Sequence, residues 1–462
     1  MTPLLWAILA YVVVQMSVGA WAFRRIATET DYWVAGRKLG PTLAVFSVFA
    51  TWFGAETCIG SAGAVHDEGL AGGSADPFGY GAALLVMGAL LAAPLWRRQL
   101  TTLADLFRAR YSRGVERLAV LLMVPTSLLW AAAQIRAFAQ VLSASSDLGL
   151  EITMLVAAVC VVVYSTFGGL LADAVTDTLQ GVVLIVGLLV LAVVLMLDPD
   201  TGFRAALASA PAERLDLVAR SDSWLVSLDR WAIPVLGSLV AQELISRVSA
   251  SRSAQLARGA VLTAAVLYLV VGSIPATIGL VGPTLVPGLT DGEQVLPRVA
   301  EAILPFPLHV LFVGALVSAI LSTVDSALLA AASLLTHNLV GSFRPQQSER
   351  TRLRLARAGV VACGLVAFVL ARQADSVYEL VESSSAFGSA GLLVVMLMAL
   401  TRSGGGSLAA GAALLAGAGV WAVGSDGRWL ELEAPYLTSL AAALGSYAVV
   451  AVLEIGWRRW RA

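Results

Sequence analysis

Four carboxylates stand inside runs of apolar residues, Glu56, Asp177, Glu243 and Asp325, together with one guanidinium, Arg136. An ionisable group at membrane depth is costly and points to function by default. A structural ion pair, such as Arg136 with Glu56 or Glu243, is the plainer alternative. Asp325 lies in SAILSTVDSALLAAASLL, where Ala319, Ser322, Thr323 and Ser326 are spaced i, i+3, i+4, i+7 and share one helical face. Hydroxyls and a carboxylate on that face are hard oxygen ligands, the set that suits a cation such as Na+. Back-bonding to the preceding turn accounts for Ser and Thr in a membrane helix but leaves the aspartate unexplained. Trp52, Tyr80 and Trp130 are also deep in apolar runs. Aromatic rings beside a carboxylate make a receptor for an organic cation as readily as they make core packing. Cys58, Cys160 and Cys363 have no metal-ligand spacing and read as small buried hydrophobes. Only His66, His309 and His337 exist, with no acid cluster at ligand spacing and no Ser-His pair in one segment, so the chain is not expected to be an enzyme.

The elements that must hold these groups are membrane helices. The chain of 462 residues is 58% hydrophobic and 13% charged, where a soluble domain carries about 25% charge. Its mean hydropathy is +0.82. A net charge of −1 argues against a nucleic-acid partner. A span needs about 20 apolar residues. Thirteen stretches qualify, at 3–23, 41–65, 76–96, 117–143, 151–168, 175–197, 224–248, 257–283, 307–338, 353–371, 377–401, 405–424 and 435–457. The first is read as a retained helix, because Arg24 and Arg25 follow it where a signal peptide would have a cleavage site. With the N-terminus outside, twenty-two basic residues fall in cytoplasmic loops, Arg247, Arg252 and Arg258 among them, against six in external loops. That bias predicts an N-out, C-in orientation. Two spans are interrupted. The second has Gly54, Gly60 and Gly63 around Glu56, and the seventh has Pro234 and Gly237 ahead of Gln242 and Glu243. Paired discontinuous helices five spans apart are the pattern of an inverted-repeat transporter, although Gly and Pro also serve ordinary helix packing in membranes.

Several segments resemble the sodium:solute symporter family across nearly the whole chain: DYWVAGRKLGP at 31–41, ATWFGAETCIG at 50–60, YSTFGGLLADAVTDTLQGVVL at 164–184, QELISRVSAS at 242–251 and SAILSTVDSALLAAASLLT at 318–336. The resemblance implies an all-α polytopic membrane protein of about 13 transmembrane helices with the LeuT-type five-plus-five inverted repeat. It implies a leading helix and loop at 1–40, a first repeat at 41–197, an external loop at 198–223, a second repeat at 224–401 and two trailing helices at 402–462. It further implies a Na+ site made of the carbonyls of Ala50, Phe53 and Ala319 with the hydroxyls of Ser322 and Thr323. Some relatives hold a second cation, and the matching residues here are Asp177, Ser322, Asp325 and Ser326, where the carboxylate at 325 strengthens a cation site or makes a protonation-linked one.

Within the family, ATWFG at 50–54, GY at 79–80, LLWAAAQ at 128–134, TVDS at 323–326 and EQVLP at 293–297 are most similar to the high-affinity choline carriers. On that match Trp52, Tyr80 and Trp130 line a choline-type pocket, and with Glu56, Gln134 and Glu243 they make the candidate solute site. Those carriers have a tryptophan where Ala241 aligns and a glycine in place of Glu56. GAETCIG instead resembles a stretch of a sugar carrier whose glutamate contacts substrate hydroxyls. The expectation is therefore a Na+-coupled symporter of a small organic solute in a lipid bilayer. A choline-like cation is favoured, and a sugar, polyol or amino acid, or cation-independent facilitation, stands as the alternative. Short loops and the lack of glycosylated domains point to a bacterial inner membrane.

Overall fold

The computed structural model describes residues 3–23, 26–144, 146, 148–341, 348–373, 381, 385–401, 404–425 and 432–461. Among these the backbone is helix and connecting turn, with one isolated bridge between Leu39 and Ser251. Among the described residues, eight helices are long and apolar enough to cross a membrane, or nine if one bent pair counts as a span. The helices are α1 (Pro3–Phe23), α2 (Glu29–Val34), α3 (Pro41–Trp52), α4 (Ser61–Glu68), α5 (Tyr80–Val86), α6 (Ala92–Trp96), α7 (Leu103–Arg110), α8 (Arg113–Ala144), α9 (Leu150–Leu197) and α10 (Phe203–Ala208). They continue as α11 (Trp224–Ala232), α12 (Gln242–Ala250), α13 (Ala254–Leu285), α14 (Val295–Ile303), α15 (Phe306–Ser333), α16 (Glu349–Gln373), α17 (Ser389–Leu400), α18 (Ser407–Gly424) and α19 (Pro435–Arg461). Helix occupies each of the thirteen stretches picked out by hydropathy, although 377–401 lies partly outside the described residues.

Two expected interruptions are real. Between α3 and α4 the chain leaves helical geometry at Phe53 (φ −92°, ψ 76°) and re-enters through a π-helical turn at Glu56–Gly60. Between α11 and α12 it is extended at Ala241 (ψ 123°), and the two halves bend by 46°. A third hinge falls between the separate spans expected at 151–168 and 175–197, which meet as two helices at a kink. α9 runs through both, turned only at Gly169 (φ 56°, ψ 175°). A side chain there would meet the ring of Tyr32 at 2.9 Å, and the Tyr32 hydroxyl donates to the carbonyl of Thr166 at 3.1 Å. The carbonyls freed by the hinge thus keep a partner without a loop.

α15 is the central helix, packed along α9, α8 and α16, and α3 crosses it near the first break. α18 and α19 pair with each other and with α17 at one side.

At the arginine-rich end a polar latch ties five elements. His337, just beyond α15, meets Glu29 of α2 at 2.8 Å and Asp105 of α7 at 3.3 Å. Arg352 of α16 holds the other Glu29 oxygen at 2.9 Å. Asn338 donates to Asp105 at 3.1 Å and to Glu116 of α8 at 2.9 Å. Burial opposes ionisation of Glu29 and Asp105, but their hydrogen bonds and charge pairing with His337, and with Arg352 and Arg108, outweigh it and hold both carboxyls below the usual range. Depressed carboxylates contribute stability above their unfolded pKa and lose it as pH falls through the folded one. Glu29→Gln should therefore cost about 1 kcal/mol at neutral pH and flatten the acid limb below about pH 4 in a thermal-unfolding series. An acid limb as steep as that of the parent chain would contradict this role.

Candidate functional site

The first break creates an oxygen cluster. Once α3 ends, carbonyls in its last turn have no helical donor, and α15 supplies hydroxyls. Ser322 Oγ donates to the carbonyl of Ala50 at 2.8 Å and lies 3.0 Å from that of Ala319. Thr323 Oγ1 lies 3.1 Å from the carbonyls of Thr51 and Ala319 and 3.4 Å from that of Ala50. Of the five groups expected to hold Na+, the structure brings together Ala50, Ala319, Ser322 and Thr323. Phe53 stands at the break with its N–H on the Phe49 carbonyl at 2.9 Å. Among the described residues its carbonyl is not one the two hydroxyls bond, and the Thr51 carbonyl, absent from the sequence expectation, takes that place. An all-oxygen set of carbonyls and hydroxyls fits a hard monovalent cation. Glycine is required at 54, because a Cβ would strike the Glu56 carboxylate and stand 2.8 Å from Thr323 Oγ1.

One turn further along α15 is a buried group of carboxylates. Asp173 and Asp177 of α9 and Asp325 of α15 each offer an oxygen, all within 4.8 Å of one another. Ser47 donates to Asp177 at 2.8 Å, Thr51 and Ser326 are 3.3 Å apart, and Ser326 Oγ reaches the Ser322 carbonyl at 2.7 Å. The expected second-site residues Asp177, Ser322, Asp325 and Ser326 are thus neighbours. Two members escaped the sequence reading. Asp173 is four residues before Asp177 on the same helical face, a spacing that was available in the sequence. Arg247, counted there as a cytoplasmic loop residue, is 1% exposed. It belongs to α12, where its guanidinium pairs with Asp173, bonds Ser326 and lies 3.9 Å from Asp177. The seventh stretch reaches 248 and so includes Arg247, but hydropathy could not show that its guanidinium faces three acids rather than the loop. One oxygen each of Asp173 and Asp177 has no hydrogen-bond partner.

Beside the breaks lies a small cavity of about 30 Å³ with Trp52, Tyr80, Trp130, Ala241, Glu243 and Phe387 in its wall. Trp52 and Trp130 meet edge to face at 5.1 Å and 89°. The Tyr80 hydroxyl and Ser385 are 2.9 Å apart. Glu243 sits in the first turn of α12, where the helix dipole favours an anion. Its Oε1 and the Trp52 indole nitrogen are buried without a hydrogen-bond partner. Four of the six expected solute residues, Trp52, Tyr80, Trp130 and Glu243, line this cavity. Glu56 and Gln134 do not. They bond to each other at 2.6 Å behind Trp130, whose Nε1 donates to Glu56 at 3.2 Å, and Gln134 accepts from the Ala55 N–H at 3.0 Å. A further buried acid, Asp76, is held by Thr57 at 2.8 Å and Tyr268 at 2.9 Å.

Residues 32–413 match the model of the sodium:solute symporter family. The chain belongs to that family. It is 29% identical over 408 residues to the high affinity choline transporter 1 of Homo sapiens, covering 82% of this chain and 69% of that protein. It is 26% identical to the sodium/pantothenate symporter of Escherichia coli (strain K12), over 75% of this chain and 74% of that one. Among solved structures, a Na+-coupled sialic acid symporter in a substrate-bound outward-open state superposes with a TM-score of 0.82 at 15% identity, over 97% of this chain and 96% of that one. A nucleobase-cation-symport-1 family transporter gives 0.62 at 17% identity, over 93% and 94%. The fold is therefore the LeuT type. The symporter works in the bilayer with Na+ as coupling ion and is not an enzyme.

The Arg247 pairing yields a stability expectation for this symporter. Arg247→Ala strands buried carboxylates and should cost about 3–5 kcal/mol, read as a fall in thermal-unfolding midpoint in detergent. Combining Arg247→Gln with Asp173→Asn should recover most of it. A single variant as stable as the parent would show that the pair is not structural.

Proposed function

We propose that the chain carries a choline-like organic cation inward with Na+. The observation that supports this reading is the Glu243 carboxylate, buried with a free oxygen at a cavity walled by Trp52, Tyr80, Trp130 and Phe387. A quaternary ammonium has no hydrogen to donate, so it is recognised by aromatic faces and a nearby anion rather than by hydrogen bonds. A neutral sugar would bring no positive charge to the Glu243 carboxylate. The resemblance that favoured a sugar rested on Glu56, whose carboxylate is engaged by Gln134 and Trp130. The choline transporters among the relatives agree with the cation reading.

Na+ would be held by Ala50, Thr51, Ala319, Ser322 and Thr323, bracing α3 against α15 and favouring the solute-competent state. The aspartates Asp173, Asp177 and Asp325 with Ser326 form the candidate second cation site, where Arg247 already supplies one positive charge. We assign the inverted repeats to 41–197 and 224–401, flanked by 1–40, the loop 198–223 and 402–462. Rocking of one repeat against the other alternates access to the mid-membrane cavity. The arginine bias supports an N-out, C-in orientation, and the short loops favour a bacterial inner membrane.

The test is ligand stabilisation of purified protein in Na+ against K+. Choline and betaine should raise the unfolding midpoint in Na+, and sugars should not. Glu243→Gln should abolish the choline response, and a full response in that variant would exclude a charge-based site. Ser322→Ala and Thr323→Ala should each raise the Na+ concentration needed for the response about tenfold or more, with choline affinity at saturating Na+ little changed. Unaltered Na+ dependence in both would remove these hydroxyls from the ion site.

A further inference from the structure

Glu56 touches both halves of the coupled reaction without facing either ligand. On one side its Oε1 accepts from the indole N–H of Trp130, and the ring of Trp130 is part of the solute cavity wall and stacks edge to face on Trp52. On the other side only Gly54 separates it from the ion cluster. The Glu56 Oε2 and Thr323 Oγ1 both crowd the point where a Gly54 Cβ would lie, which puts the two oxygens within about 5 Å of each other. Gln134 clamps the carboxylate at 2.6 Å and also accepts the Ala55 N–H inside the break, so the group cannot turn away from either neighbour without releasing the backbone there. Glu56 is 1% exposed, so water does not screen it.

We propose that Glu56 is the coupling residue of the symporter: a carboxylate behind the Na+ ligands that strengthens ion binding across Gly54 and transmits it to the solute cavity through its hydrogen bond to Trp130. This rests on the assignment of Ser322 and Thr323 to the ion. A cation at those hydroxyls draws the carboxylate and the unwound segment 53–55 toward α15. Through the indole N–H, that pull sets the plane of Trp130 and with it the aromatic wall that meets the solute. Linkage then works both ways, because a solute that fixes Trp130 also fixes the carboxylate behind the ion. Glu56 acts through its neighbours and is a positioning residue, which separates it from Glu243, the acid exposed to the cavity. The close approach needs glycine at 54 and an indole at 130, and the chain supplies both.

Two variants test it by binding alone. Thermal stabilisation of purified protein by NaCl against KCl, with no solute present, reads the ion site directly. Glu56→Gln keeps the shape and the bond to Gln134 in reversed polarity, and should raise the Na+ midpoint about tenfold, with the unfolding temperature in KCl within a few degrees of the parent. Trp130→Phe keeps an aromatic wall but removes the N–H. It should leave the Na+ midpoint within twofold of the parent while reducing severalfold the factor by which saturating Na+ tightens choline binding. A Na+ midpoint in Glu56→Gln equal to that of the parent would overturn the proposal, as would a parental coupling factor in Trp130→Phe. If the parent fails to bind choline in any salt, the organic-cation reading fails, and the solute-free Na+ midpoint of Glu56→Gln still decides this one.

Discussion

A backbone carbonyl inside a bilayer must find a donor or a cation, and much of this molecule follows from how it meets that demand at the end of α3. Breaking the helix at Phe53 strips Ala50 and Thr51 of helical partners. The structure answers with two hydroxyls from α15, so the break is stable only where α15 lies against it. The same oxygens that satisfy the break are the donor set we propose for Na+. An ion there would replace hydrogen bonds with coordination and tie the same two helices more firmly, which is how a small cation can change the balance between large conformations.

The second consequence is electrostatic. Three aspartates within a few ångströms of one another repel as anions, and Arg247 offsets part of that charge. The guanidinium comes from α12, the inner half of the other broken span, while the acids come from α9 and α15. Both discontinuous helices therefore converge on one polar column beside α15, one through carbonyls and the other through an arginine. Around that column the protein is close-packed and apolar, and its polar network is concentrated there and in the latch at the arginine-rich end.

The cavity we propose for the solute is lined from both breaks. Trp52 is the last residue of α3, and Ala241 and Glu243 flank the bend into α12, so both interrupted helices place their terminal side chains in one wall. α8 contributes Trp130, whose ring meets that of Trp52 edge to face.

Much of this was legible from residue types alone. Apolar runs located the helices, because a chain with so few charges has no other way to cross a bilayer. Gly54, Pro234 and Gly237 marked the breaks through backbone preference, and the face shared by Ala319, Ser322 and Thr323 followed from helical period, all properties of local sequence. What no local pattern contains is which polar groups meet across helices. Glu56 and Glu243 look alike in sequence, each a carboxylate beside a break. Only packing decides that one is clamped by Gln134 and Trp130 while the other keeps an oxygen free at the cavity. Arg247 reads as a loop charge until α12 is seen to carry it inward to Asp173. Element positions depend on hydrophobicity and backbone geometry, which act over a few residues. Charge pairing depends on contacts separated by seventy residues or more in the chain, and only the folded structure specifies those.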